Sequence, residues 1–245
     1  MDDLFADEVV VPSFGQYSSS PHPSGQGFII HIEHGQLIYI PQFISKKIAD
    51  RALDVLLENN LYNWKDTEWA NINHLENIIW KNIQWKQDLI RIYGKTHLLP
   101  RLTAWYGEDG KSYTYAGIES HPLAWNKPLL WLKNQLETVS QSSFNSVLLN
   151  WYRDGQDHLA WHDDAEAELG NNPTIGSLNF GASRRFLLRR KDNHNDKIEL
   201  LLGHGDLLIM AGELQQYWQH CVPKQTKVKN SRINLTFRYI HPLLP

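Results

Sequence analysis

The chain has 245 residues, a formal net charge of -3, one cysteine, and 10 tryptophans, 10 tyrosines and 8 phenylalanines. That length can bury one sizeable core. The lone Cys221 excludes an intramolecular disulfide and fits a reducing, intracellular setting. Neither a basic region at "MDDLFADEVV" nor an apolar run approaching eighteen residues is present, which predicts a soluble protein without signal peptide or membrane span.

Residues 1–27 hold four acids and no Lys or Arg and end in the Ser-, Pro- and Gly-rich "SFGQYSSSPHPSGQG"; with little to bury, they read as a disordered tail. An α/β extension over 28–100 follows. In it "GFIIHIEHGQLIYIPQF" predicts a hairpin around His34-Gly35, and "SKKIADRALDVLLENN" a helix behind a Ser45 cap, with Ile48, Ala52, Leu53, Leu56 and Leu57 on its apolar side. The remainder, 101–245, is dominated by short strands: "LTAWYG", "SYTYAG", "SVLLNWY", "TIGSLNF", "RRFLLRR", "KIELLL", "DLLIMAG" and "RINLTFRYI". One helix, 128–139, interrupts them. This spacing predicts an α+β protein whose main domain is a two-sheet jelly roll with ligands in its mouth. From 183 to 240 there are eleven Lys or Arg against five Asp or Glu, a local excess suited to a polyanion.

The stretch "HLAWHDDAEAELG" puts two histidines and four carboxylates into 158–170. Residues two apart on a strand or at its end point the same way, so His162 and Asp164 address one point. With His220, from "YWQHCVP", they would complete the two-histidine, one-carboxylate triad that leaves positions open on an octahedral iron(II). Two competing patterns are weaker. "HGD" at 204–206 lies between glycines at the entry to an apolar strand and reads as turn chemistry. The i, i+4 pair His158 and His162 lacks the Glu of a helical zinc-protease site, and Gly155 disfavours a helix there.

Independent signals come from two other strands. In "RINLTFR", Arg232, Asn234, Thr236 and Arg238 share one face while Ile233, Leu235 and Phe237 share the other. Arginines on that polar face either meet solvent or lean inward to hold a short dicarboxylate. "SVLLNWY" sets Asn150 and Tyr152 on one face in the same way. In "TAWYGEDGKS", alternation separates Trp105 from Tyr106. Tyr106, beside Gly107, is expected to be the exposed stacking ring and Trp105 the core residue. The run "RRFLLRRK", with Arg184 and Arg189, is either a solvated edge strand or a phosphate contact.

Taken in order, "NWYRDGQDHLAWHDD", "SLNFGASRRFLLRRK", "HGDLLIMAGELQQYWQHCVP" and "RINLTFR" resemble the AlkB family of iron(II)- and 2-oxoglutarate-dependent nucleic-acid dealkylases, over approximately 99–240. A "PR…YG…YTYAG" segment makes the chain most similar to the alkylated-DNA-repair subgroup. The resemblance implies a double-stranded β-helix, with His162, Asp164 and His220 binding Fe(II). It further implies that Asn150, Tyr152, Arg232, Asn234, Thr236 and Arg238 hold 2-oxoglutarate. Trp105, Tyr106, Tyr113 and Tyr115 would lie on a nucleotide-recognition lid, and Glu166 near the exocyclic amine of the base. Ala165 stands where members of the subgroup carry a carboxylate. The implied reaction consumes O2 and 2-oxoglutarate and removes alkyl groups from 1-methyladenine- or 3-methylcytosine-type bases in DNA, releasing formaldehyde and succinate. A duplex base would have to be flipped out to react.

The rival readings are the same chemistry on RNA or on a protein side chain, and a jelly-roll binding module without turnover. The expected setting is a monomer in the cytoplasm, or in the nucleus of a eukaryote, with alkylated DNA as partner and no membrane.

Overall fold

The computed structural model describes residues 14–69, 72, 75–92, 95–108, 113–115 and 118–241. The chain begins with β1 (Ser19–Pro21), β2 (Phe28–Ile30), β3 (Gln36–Ile40) and α1 (Lys46–Leu56). Next come β4 (Leu89–Ile92), β5 (Lys95–Leu98), β6 (Leu102–Gly107), β7 (Tyr113–Tyr115), β8 (Ile118–Ser120), β9 (Leu123–Ala124) and α2 (Lys127–Ser140). The remaining strands are β10 (Ser146–Tyr152), β11 (Leu159–His162), β12 (Ile175–Gly181), β13 (Arg184–Arg190), β14 (Lys197–Leu202) and β15 (Leu207–Ala211). The short helix α3 (Leu214–Tyr217) then leads into β16 (Trp218–Val222), and β17 (Arg232–Arg238) closes the fold.

A nine-stranded sheet runs β1-β2-β3-β15-β12-β17-β10-β6-β9, and a four-stranded sheet runs β11-β16-β13-β14. They are the two walls of a double-stranded β-helix. Central β17 pairs antiparallel with both β10 and β12, and all seven of its residues are buried. Its two faces nevertheless differ in character. Ile233, Leu235 and Phe237 join Trp151, Val147 and Leu149 of β10 in a core closed by Leu53 and Leu56 of α1 and Leu129, Leu132 and Leu136 of α2. Between the sheets lies a second core that includes Phe186, Leu188, Leu208, Trp218 and Val222. Period-two alternation therefore separates a helix-facing apolar layer from a layer facing the smaller sheet.

The extension is continuous with the larger sheet, because β3 pairs with β15 from Leu207 opposite Ile40 to Ala211 opposite Gln36. The expected β2–β3 hairpin forms with His34 and Gly35 at positive φ. A Cβ on Gly35 would sit 2.8 Å from Leu214 Cβ, so glycine there serves both the turn and the approach of α3.

Three expectations are corrected. The supposed tail is ordered in part: Ser19–Pro21 pairs with Phe28–Ile30, because even a short polar segment satisfies its backbone by adding to a sheet edge. Residues 1–13 of that tail lie outside the described residues. On α1, Ile48 is 46% exposed, and the buried stripe is Ala49, Leu53 and Leu56, spaced i, i+4, i+7 along one helical face. Ser45 precedes the helix without a side-chain capping bond, whereas Asn126 caps α2 by accepting from Leu129 N at 3.0 Å. No helix among the described residues is long and apolar enough to cross a membrane.

Candidate metal centre and cosubstrate cavity

Strands β11 and β16 run antiparallel with His162 directly opposite His220, their ring centroids 4.2 Å apart. The chain leaves β11 at His162 and returns Asp164 to the same side. One ligand atom from each of the three residues lies within 4.8 Å of the others, and His220 Nε2 is 4.0 Å from Asp164 Oδ2. His162 Nδ1 donates to Ala160 O at 2.9 Å, which fixes the tautomer and leaves Nε2 as the lone-pair nitrogen. Phe186 stacks on His220 at 5.3 Å and holds its ring plane.

Burial pushes the Asp164 carboxyl up, but the Arg238 guanidinium and, after it, the adjacent His220 and His162 rings outweigh it and hold the group at about 2. Arg238 Nη2 donates to Asp164 Oδ1 at 2.8 Å. His220 is lowered to about 3, first by burial and then by His162 beside it, against the pull of Asp164. A carboxylate beside two imidazoles, with His220 held unprotonated by its burial, is a donor set a divalent metal takes. Asp164 Oδ2 is buried without a hydrogen-bond partner. Buried polar atoms are rarely left so, and the residues present fit an iron(II) ion.

From this cluster a cavity runs between the sheets along β10 and β17 to Arg232. The in-register pairing of Asn150 with Asn234 and Tyr152 with Arg232 brings together the two polar faces read from separate strands. Arg232 is buried, its guanidinium 4.9 Å from the Tyr152 ring centroid. Only its Nη2 is satisfied, by Asn179 Oδ1 at 2.5 Å; Nε and Nη1 have no partner. Burial lowers it to about 10. A buried cation without a counter-ion is costly, so this end of the cavity suits a carboxylate. Asn234 Nδ2 donates to Ser177 Oγ at 2.8 Å, Thr236 Oγ1 donates to Asn234 Oδ1 at 2.9 Å, and Arg101 Nε donates to Asn150 Oδ1 at 2.7 Å. Those bonds leave a pre-organised polar wall beside the metal cluster.

Ser177, Asn179 and Arg101 were not singled out from sequence. The first two had a readable signal, since in "TIGSLNF" they are polar side chains two apart on one face of an otherwise apolar strand. Arg101 gave none, because its role depends on β6 lying beside β10.

Several expected contacts are corrected or refined. Tyr106 is 4% exposed, and its hydroxyl accepts from Gln84 N at 3.1 Å. Register decides this: Tyr106 lies opposite Val147 and Trp105 opposite Leu148. Tyr106 thus faces the helix-side core, while half-buried Trp105 takes the face that carries Asn150. Arg184 is fully buried and donates to Asp154 O at 2.9 Å, Asp157 O at 2.8 Å and Pro223 O at 2.9 Å. It is a loop clamp with no surface to offer a phosphate. Arg189 lies 4.2 Å from the Trp161 ring centroid with its Nη2 on Gln219 Oε1 at 2.9 Å. Arg190 is held by Glu33 and Asp192. Tyr113 and Tyr115 stand on β7, and their side chains lie outside what is described. Glu166 Oε2 is buried without a partner.

The competing patterns resolve as turn and strand chemistry. Asp206 accepts from Tyr39 OH, Gln42 N and Gly203 N at 2.8, 2.9 and 2.8 Å. His204 accepts from Gly181 N at 2.9 Å and pairs with Asp50 at 3.1 Å. His162 is on a strand, so its spacing from His158 makes no helical pair.

Residues 36–238 match the model of the 2OG-Fe(II) oxygenase superfamily. The chain is 40% identical over 197 residues to alpha-ketoglutarate-dependent dioxygenase alkB homolog 3 of Mus musculus, covering 77% of this chain and 66% of that one. It is 38% identical over 160 residues to DNA oxidative demethylase ALKBH2 of Mus musculus, covering 62% and 67%. With ALKBH2 of Arabidopsis thaliana it shares 32% over 250 residues, covering 91% and 72%. The chain spans less than two thirds of the alkB homolog 3 proteins of mouse, cow and rat. The solved structure titled "The structure of OsALKBH1" superposes with a TM-score of 0.51 at 14% identity, covering 86% of this chain and 99% of that one, which supports the fold. With its jelly roll, its His-Asp-His cluster and these relatives, the chain belongs to the 2OG-Fe(II) oxygenase superfamily, in its AlkB branch.

Proposed function

We propose that this protein is an iron(II)- and 2-oxoglutarate-dependent dioxygenase that removes alkyl groups from N-alkylated bases of the 1-methyladenine and 3-methylcytosine type in DNA. The observation that carries the reading is one cavity with the His162-Asp164-His220 cluster at one end and, at the other, the buried Arg232 guanidinium, whose Nε and Nη1 have no partner. The DNA substrate is suggested by the relatives named DNA oxidative demethylase. Iron(II) with 2-oxoglutarate and O2 supplies oxidation of the N-alkyl carbon, with succinate, carbon dioxide and formaldehyde as products.

The chain's own part is positioning. His162, Asp164 and His220 would hold the metal, and Arg238 keeps Asp164 ionised and turned toward it. Arg232, with Tyr152 against its face and Asn179 on one nitrogen, offers its remaining donors to a cosubstrate carboxylate. Asn150, Asn234 and Thr236 line the path between. Both sheets exclude water from that path, which strengthens each of these contacts. A flipped base would enter past Trp105, with Tyr113 and Tyr115 on the same lid and Glu166 offering a carboxylate to the exocyclic amine. Arg189 would meet the phosphate backbone.

We read 101–245 as the dioxygenase domain and 28–100 as an extension packed on it, acting as a monomer in the cytoplasm or a eukaryotic nucleus. The test is a panel of N-methylated DNA and RNA oligonucleotides and a methylated peptide, incubated with iron(II), 2-oxoglutarate and O2, with formaldehyde and succinate measured. Equimolar products with methylated DNA are expected. Turnover confined to RNA or peptide would overturn the substrate, and no succinate under any condition would overturn the enzyme.

A further inference from the structure

Asp164 has to be held from outside the metal cluster, because the pairing of β11 with β16 shifts register between Leu159 and His162 and the chain has left the ladder by position 164. Its backbone N–H is accepted by Gln215 Oε1 at 3.0 Å. Gln215 is 1% exposed, and its Nε2 reaches Met210 Sδ at 3.8 Å, a weak acceptor, so the amide is placed chiefly by what its oxygen receives. Lys191, just past β13, grips the same point from the other side. Its Nζ donates to Gln215 O at 2.9 Å and pairs with Asp163 Oδ2 at 2.9 Å, while its N–H donates to Tyr217 O at 2.9 Å.

We propose that Gln215 and Lys191 form a positioning clamp that fixes the Asp164 carboxylate relative to His220. The inference rests on reading His162, Asp164 and His220 as the metal ligands. α3 carries Gln215 and runs directly into β16, where His220 lies three residues beyond Tyr217. A bond from Gln215 to Asp164 therefore joins two ligand-bearing segments where the strand ladder does not. Lys191 adds a second effect: by holding Asp163 in an ion pair, it keeps the adjacent carboxylate from competing as a ligand. Neither residue lines the cavity, so both act through Asp164 and neither is catalytic.

The test is cobalt(II) titration of the full chain, followed by visible ligand-field absorption, with thermal melting of the metal-free proteins alongside. Gln215→Met keeps side-chain length and loses the acceptor. Lys191→Met, at a partly exposed position, keeps the fold testable if Gln215→Met melts early. Each should weaken cobalt affinity by about tenfold or more, the usual effect of removing an outer partner of a ligand, and alter the absorption band. Lys191→Arg should restore most of the affinity. Gln216→Met, on the same helix but hydrogen-bonded to Asn172, should leave it unchanged. Wild-type affinity and spectrum in both Gln215→Met and Lys191→Met would overturn the clamp and leave the metal site standing, as would an equal loss in Gln216→Met. A wild-type chain that binds no cobalt would overturn site and clamp together.

Discussion

Arg232 and Arg238 carry the same group on the same face of β17, yet their surroundings differ. Arg238 has the Asp164 carboxylate at 2.8 Å, whereas two of the three Arg232 nitrogens are unpaired. Arg232→Met should therefore weaken 2-oxoglutarate binding by about ten- to a hundredfold, the equivalent of about 1.5–3 kcal/mol for a lost charge-assisted contact. The ligand-free melting temperature should hold or rise, because an uncompensated buried charge is removed. A fall in melting temperature with unchanged 2-oxoglutarate affinity, read by calorimetry, would make Arg232 a structural residue. The same scale separates two neighbouring aromatics. Tyr106→Ala empties a core position and should cost about 3–5 kcal/mol in denaturant unfolding. Trp105→Ala should leave stability nearer wild type and raise KM for a methylated oligonucleotide. The opposite pattern would return Tyr106 to the lid.

Strand β13 shows how a charge run becomes several roles once it has neighbours. Arg184 is sealed between loops, Arg185 is paired with Glu199, Arg190 is held by Glu33 and Asp192, and Arg189 rests on Trp161. Arg189→Glu should flatten the salt dependence of oligonucleotide binding by about one unit of log–log slope. Arg190→Glu should leave that slope intact, because its charge is already matched. Equal slopes in wild type and Arg189→Glu would place the phosphate contact elsewhere. Cys221 on β16 tests the packing of the smaller sheet: burial pushes its thiol up to about 11, so near pH 8 it stays protonated and poorly nucleophilic. Iodoacetamide should modify it in denaturant and leave it largely unmodified in the native protein, as intact-mass measurement would show.

At the scale of the molecule, the larger sheet is a partition. Its one face closes a core with α1, α2 and a cluster in which Trp69, Trp80 and Trp85 surround Trp151; the other closes the candidate cosubstrate cavity with the smaller sheet. Single substitutions in the metal cluster should respect that division. His162→Ala, Asp164→Ala and His220→Ala should each abolish stoichiometric iron(II) binding and succinate formation while the fold persists. His204→Ala, at a turn on Asp50, should retain both. Iron bound at wild-type affinity by Asp164→Ala would remove the triad assignment.

What was legible in the sequence was local and periodic. Alternation in "RINLTFR" and "SVLLNWY" identified the two polar faces, because a strand's side chains alternate whatever lies beside it, and the spacing of His162 and Asp164 placed two candidate ligands on one side. Turn chemistry marked His204 and Asp206 as structural for the same local reason. Tertiary structure decided everything that needs a partner. The β10 register sent Tyr106 into the core and Trp105 to the opposite face, against Leu169 and Ile240, a parity that alternation alone leaves open. Edge addition drew Ser19–Pro21 into the sheet. Packing turned Arg184 into a clamp, set Ser177 and Asn179 beside Asn234, and brought Gln215 and Lys191 to Asp164. These contacts join residues far apart in the chain, and nothing in the local spacing of either partner records which segment the fold will lay against it.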